Sequence, residues 1–186
     1  MPPLLSLSIT SSARPVRSNN ITRRHRPDRS ITLTVGGKKK NLGYIEVKPF
    51  NAALNHQKVN VNLVRLGVFG KNALDTHHSQ NVMAIQAVGM DMTFYLVQRT
   101  ASKLYLMFEL EHIRFPSSID KMTMMFVLMD KVMDIIKIFR TYCVTSPEQT
   151  SIVEVSKETL KSPILRAMTT ATVSRKRKNP HQHSHF

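Results

Sequence analysis

"KLYLMFELEHIRFPSSIDKMTMMFVLMDKVMDIIKIFRTY" (residues 103–142) contains the change in hydrophobic period that decides the fold class. In residues 103–115 apolar and polar side chains alternate, which is typical of a half-buried strand. The apolar members of this strand are Leu104, Leu106, Phe108 and Leu110. Residues 116–142 instead carry apolar side chains around most of a helix, with one polar stripe. A strand followed by a long amphipathic helix indicates an α+β domain.

The helix over residues 116–142 has recognisable start signals. Ser118 is the predicted N-cap, and Asp120 lies near the positive end of the helix dipole. A helix with so much apolar surface must be covered, either by a sheet or by another chain. The Met-rich side is therefore interpreted as core or as a self-association groove, where flexible Met side chains are common. The residues concerned are Met122, Met125, Phe126, Met129, Met133 and Ile136.

Upstream of residue 103, the sequence predicts further strands from β-branched, alternating runs bounded by turn residues. They cover residues 31–35, 42–50 and 58–69, and two pieces of 82–99 bent at Gly89. Residues 36–41, "GGKKKN", form a predicted turn, and residues 70–81 a polar connection. The predicted body has about five to six mostly antiparallel strands with one long amphipathic helix packed on it.

The body occupies residues 31–163 and forms one β-rich α+β domain. Residues 1–30 are rich in Ser, Asn, Pro and Arg, and are predicted to be a disordered Arg-rich arm. Residues 164–186 are predicted to be a disordered basic tail that contains several His residues.

Positive charge is concentrated at the two ends of the chain. The net charge is +15, and the arm, the body and the tail each carry +5. Two thirds of the excess therefore lies in 53 terminal residues, which favours anionic partners such as RNA or an anionic membrane surface. The alternative is that the terminal charge only keeps the protein soluble.

The arm is basic through Arg alone, and guanidinium groups fork onto phosphates and stack on bases. Three consecutive lysines in the predicted 36–41 turn add a second contact, to phosphate or to anionic lipid. The predicted phosphate-binding residues are Arg14, Arg17, Arg23, Arg24, Arg26, Arg29, Lys38, Lys39 and Lys40. No aromatic residue lies in the arm, so a base-stacking platform is not indicated.

A run of four cations follows in the tail, formed by Arg175, Lys176, Arg177 and Lys178. Such a run is typical of a nuclear localisation signal read by an import receptor. It would also bind phosphate without import, or remain a solvated tail.

The sequence predicts a protein that is not an enzyme and holds no metal or cofactor. No catalytic or nucleotide-binding motif is present. Cys143, which follows the apolar helix, is interpreted as a small buried residue. Glu109 and Glu111 are placed on one strand face and interpreted as solvated. His77 and His78, like the His residues of the tail, are interpreted as polar loop and tail residues.

The predicted location is inside a cell and not in a membrane. A single Cys fits a reducing compartment, and the basic residues at the N-terminus follow its apolar patch, unlike in a secretory signal. The Arg- and Ser-rich opening also has features of an organellar transit peptide, although its prolines disfavour the amphipathic helix required. No run approaches the roughly 20 apolar residues of a membrane span.

In its organisation the chain resembles the matrix protein of plant-infecting rhabdoviruses, of the cytorhabdovirus kind. The resemblance covers most of the chain and consists of the basic arm, the β-rich middle, the amphipathic helix and the basic terminus. It implies a virion protein that self-associates as a homo-oligomer, condenses the ribonucleoprotein and bridges it to the envelope. It also implies location in the host cytoplasm, with nuclear entry in some members. The PPxY and PTAP budding motifs of animal relatives do not appear in this sequence.

Two other classes are kept as alternatives. An RNA-binding capsid protein would explain an Arg-rich arm, but a jelly roll needs about eight strands. A nuclear nucleic-acid-binding regulator or silencing suppressor would explain the tail, but would be expected to carry base-stacking aromatic residues.

Overall fold

The computed structural model describes residues 5–11, 26–100 and 104–144 of the chain. In these residues six strands form one sheet, in which they lie in the order of the sequence. All neighbours are antiparallel except β3 and β4, which are parallel. The strands are β1 Leu5–Ser11, β2 Arg29–Val35, β3 Lys38–Lys48, β4 Asn81–Val88, β5 Asp91–Arg99 and β6 Tyr105–Arg114. The predicted α+β class, with mostly antiparallel strands and helices packed on them, is confirmed.

Glycines form two of the tight turns. Gly36 and Gly37 join β2 to β3 with φ of +55° and +81°, the pair of positive angles that a type I′ turn requires. The predicted turn over 36–41 was therefore too long, because Lys38 to Lys40 already pair in β3. Gly89, with φ +61°, begins the turn between β4 and β5, which confirms the predicted bend.

The connection from β3 to β4 is a helix, α1 His56–His77. The predictions of a strand over 58–69 and of a polar loop over 70–81 were wrong. Val59, Val61 and Leu63 alternate like strand residues, but the buried residues of α1 recur every three or four positions instead. These are Asn62, Leu66, Gly70, Ala73 and Leu74. Parallel neighbours need a long crossover connection, usually a helix, and that requirement decides the conformation.

One core lies between α1 and the first face of the sheet, and a second core lies on the opposite face. Side chains of the first are Tyr44, Leu66, Ala73, Leu74, Val82, Ala84, Tyr95 and Val97. The second includes Ile31, Leu33, Leu42, Met83, Ile85, Phe94, Leu96, Ile113, Ile135 and Cys143. Alternation along each strand sends neighbouring residues to opposite cores. Both faces of the sheet are therefore packed against helical residues.

The second core is covered by α2 Met124–Ile138. A short 3₁₀ turn, Ile119–Lys121, precedes this helix, and a π-helical turn, Phe139–Val144, follows it. A helix within residues 116–142 is thus confirmed, but its α-helical part is shorter than predicted, and α1 shows that it is not the one long helix of the body. Ser118 is the N-cap of the 3₁₀ turn and makes no side-chain capping hydrogen bond. Neither helix among the described residues is long and apolar enough to cross a bilayer.

The N-terminal region differs from the predicted arm in one respect. Residues Leu5–Ser11 pair along the whole of β2, so they belong to the sheet rather than to a disordered segment. Alternation of Leu and Ile with Ser and Thr is the signal for this strand. Residues 12–25 of the predicted arm and the whole predicted tail, 164–186, lie outside the described residues.

Candidate interaction surfaces

Exposed apolar side chains are concentrated around α2: of the nineteen large ones among the described residues, nine lie between residues 119 and 142. Of the six Met-rich residues assigned to core or self-association, Met125 alone is half-buried towards the sheet. The exposed fractions of the others are 51% for Met122, 80% for Phe126, 46% for Met129, 56% for Met133 and 43% for Ile136. The core interpretation is therefore wrong for these five residues, because a sheet covers only one side of a helix that is apolar on most sides.

These five exposed residues form one stripe. Their spacing along the helix is four, three, four and three residues, which keeps them on a single side over about four turns. We call Met122, Phe126, Met129, Met133 and Ile136 the α2 stripe. The sheet-facing side of the same helix is formed by Met125, Leu128, Val132 and Ile135. The helix thus presents two apolar sides, of which the sheet buries one.

Edge strand β6 carries two further exposed apolar residues on the side of the sheet that α2 covers. Leu106 pairs with Gln98 and Phe108 with Leu96, which puts both on the α2 side of the sheet, and both are exposed. A groove of about 470 Å³ runs between α2 and β6. An ion pair of 2.8 Å from Lys131 Nζ to Glu111 Oε1 joins the two elements across it.

A β-bulge in β6 separates the two carboxylates predicted on one strand face. Glu109 lies opposite Tyr95 and Glu111 opposite Phe94, whose side chains belong to different cores. Glu109 and Glu111 therefore point to opposite sides of the sheet, and the assignment to one face was wrong. The pKa of Glu111 is lowered, chiefly by its hydrogen bond with Lys131. The separation leaves no acid–base pair at this strand.

The predicted phosphate-binding residues fall into two separate groups. Lys38, Lys39 and Lys40 lie at the β2–β3 turn. Arg29 starts β2 at its opposite end, and Arg26 immediately precedes that strand. Lys40 pairs with Leu33 and Lys38 with Val35, so the lysines lie four to six residues along β2 from Arg29, about 13 to 20 Å. The remaining predicted residues, Arg14, Arg17, Arg23, Arg24, Arg175, Lys176, Arg177 and Lys178, lie outside the described residues.

Two histidines at the end of α1 lie near the lysine group, which the sequence did not predict. His77 ends α1, and His78 follows in the left-handed conformation with φ +49°. Burial lowers the pKa of His77, and the nearby charges of Lys40 and His78 lower it further. The predicted loop location was wrong for His77, which is helical, whereas His78 does lie in the turn that follows α1. No sequence signal linked His77 to residue 40.

The Arg group is attached to the body through a buried ion pair. Arg65 Nη2 of α1 donates to the Arg26 carbonyl at 2.7 Å and lies 3.1 Å from Glu46 Oε1. Beside it, the Val47 amide donates to Asp28 Oδ2 at 2.7 Å. Glu46 has no exposed side-chain surface, and burial raises its pKa to about 7 despite the Arg65 charge. These contacts position the residues that lead from the Arg-rich segment into β2.

Cys143 lies in the second core, as the sequence predicted for a small buried residue. Burial raises the pKa of its thiol to about 12, which keeps it protonated at neutral pH. Comparisons of the chain with protein-family models, curated proteins and solved structures returned no match.

Proposed function

We propose that this protein is a non-enzymatic, matrix-like viral structural protein. In this role it self-associates and uses its basic segments to bridge ribonucleoprotein and an anionic membrane. The observation that carries the proposal is the α2 stripe, which leaves a continuous apolar surface on a chain of net charge +15. A large exposed apolar patch marks an interaction site, while strong positive charge favours an anionic partner.

The two basic groups support an extended anionic partner. The lysine group and the Arg group lie at opposite ends of β2, so one compact anion does not reach both. A single RNA strand or a membrane surface spans about 20 Å. RNA is the preferred partner because the N-terminal group is formed by Arg, whose guanidinium pairs with phosphate and stacks on bases. The proposal further includes virion and host cytoplasm as locations, and nuclear import through Arg175–Lys178.

The arrangement of strands weighs against the capsid alternative. A jelly roll stacks two sheets on one another, whereas the described strands form one sheet with helical residues on both faces. The regulator alternative shares RNA binding with the proposal, but does not require assembly. Self-association is therefore the property that separates the two.

Co-sedimentation with single-stranded RNA and, separately, with anionic liposomes tests the proposal across a salt series. We expect binding to both, weakening as salt rises because counterion release drives phosphate binding. Light scattering should report assemblies larger than the monomer. Binding to RNA without assembly would favour the regulator, and binding to neither partner would overturn the proposal.

A further inference from the structure

We infer that the α2 stripe pairs with the α2 stripe of a second copy of this chain. The inference rests on the self-association in the proposed function, and adds the surface that carries it. It starts from the stripe spacing of four, three, four and three, which is the a/d pattern by which helices pack against one another.

Charge favours a second copy as the occupant. Two chains of net charge +15 repel each other unless they meet at a surface close to neutral. Residues 119–141, which include α2, carry three acidic and four basic side chains. The stripe is therefore where two copies approach at a low electrostatic cost, and where they remove the most apolar surface from water.

The same charges give RNA or anionic lipid no net attraction to this helix. Asp130 and Asp134 are exposed on α2, and so are Lys131 and Lys137, so the charges of the helix cancel. Helices that lie on anionic membranes instead carry an excess of Lys and Arg on their polar side. The lysine and Arg groups that suit anions lie at the ends of β2. The stripe is thus free for a protein partner while the basic groups hold the anion.

The first test is sedimentation equilibrium of the full chain without RNA, at low and high salt. We expect a dimer that tightens as salt rises, because screening reduces the repulsion between two basic chains. RNA binding has the opposite salt dependence, so the two activities are separable. A chain that stays monomeric at both salt concentrations would overturn both the inference and the self-association in the proposed function.

Substitution Met133→Asp tests the surface, with Leu54→Asp as its control. Both side chains are exposed and apolar, but Leu54 lies before α1 and outside the stripe. We expect Met133→Asp to weaken dimerisation at least tenfold without changing the melting temperature of dilute protein, and Leu54→Asp to leave the dimer intact. A lower melting temperature with an unchanged dimer would show that the stripe is covered within one chain, against the inference.

An unchanged dimer in Met133→Asp would overturn the inference at any melting temperature, while leaving the self-association of the proposed function standing. A wild-type chain that stays monomeric overturns both, so the two failures are distinguishable.

Discussion

The two described helices pack on the same sheet, but only α1 has a solvent-facing side that is mostly polar. The five exposed residues of α1 are His56, Lys58, Asn60, Val64 and Thr76, of which Val64 alone is apolar. Of the ten exposed residues of α2, six are apolar. Because α1 meets the sheet on one side and water on the other, it has no further surface to bury. The second helix still has such a surface, and that difference is the basis of the proposed assembly.

The largest expected effect is a difference in stability between truncating a buried residue of α1 and truncating an exposed residue of α2. Leu66→Ala should reduce the free energy of unfolding by about 2–5 kcal/mol, because the side chain is fully buried between α1 and the sheet. Met133→Ala should change it little, since that side chain lies in the exposed stripe. Chemical denaturation of dilute protein, where association contributes nothing, measures both. Equal losses at the two positions would contradict the contrast between the helices.

The next effect concerns the ion pair that joins α1 to the sheet. The pKa of Glu46 rises from 4.5 to about 7. Between these pH values the folded chain keeps a proton that the unfolded chain releases, so this group lowers stability as pH rises. At about 1.4 kcal/mol for each pH unit between the two values, the loss is on the order of 3 kcal/mol. Glu46→Gln should remove this pH-dependent loss of stability. Chemical denaturation of the wild-type and variant proteins from pH 4 to 8 measures the difference. Parallel pH profiles would contradict this prediction.

A matched pair of glycines tests how closely α1 lies on the sheet. A Cβ at Gly70 would lie 2.9 Å from Val97 Cγ2, whereas a Cβ at Gly67 meets nothing nearer than Met107 Sδ at 3.8 Å. Gly70→Ala should therefore destabilise by about 1–3 kcal/mol through overpacking, before any gain in helix propensity. Gly67→Ala should stabilise by up to about 1 kcal/mol, because Ala is the better helix former. Thermal melts would measure both, and changes of the same sign would contradict the packing.

The smallest effect comes from the ion pair that joins α2 to β6. The pKa of Glu111 is lowered by its hydrogen bond with Lys131. The stability that Glu111 contributes is present above the ordinary Glu pKa and is lost as pH falls through the lowered pKa. Stability therefore rises with pH through this group, whereas through Glu46 it falls. Glu111→Gln should barely move the melting temperature at neutral pH, because exposed pairs contribute little. A loss as large as that of Leu66→Ala would show that this link does hold α2 on the sheet.

Local patterns predicted most strands of the sheet and missed one helix. Residues 31–35 and 104–115 alternate and residues 82–88 form a short apolar run that ends at Gly89, and these are local properties of the sequence. Residues 58–69 also alternate, yet form α1, because Leu66, Gly70 and Ala73 supply a helical side that faces β4 and β5. The parallel pairing of β3 with β4 made that crossover necessary. Leu5–Ser11 was missed because a strand of seven residues stood within a segment rich in Ser, Pro and Arg.

The sequence identified the residues of the candidate surfaces, but not where those residues lie in the fold. The Met-rich residues and Lys38–Lys40 were identified from composition and charge. Their interpretation depended on distant contacts. The sheet covers one side of α2 and leaves the stripe exposed, and β2 holds the lysines about 13 to 20 Å from Arg29. The contacts of Arg65 with Glu46 and with the Arg26 carbonyl join three segments that are distant in the sequence, so no local pattern predicts them.

Composition and local pattern were enough to establish the charge of +15, the glycine turns at Gly36 and Gly89, and an apolar helix after residue 116. Each of these follows from side chains and backbone preferences that act within a few residues. Long-range packing instead made residues 56–77 helical, placed Glu109 and Glu111 on opposite sides of the sheet through a bulge, and left the α2 stripe exposed. These outcomes depend on which surface is packed against which, and burial is a property of the assembled chain.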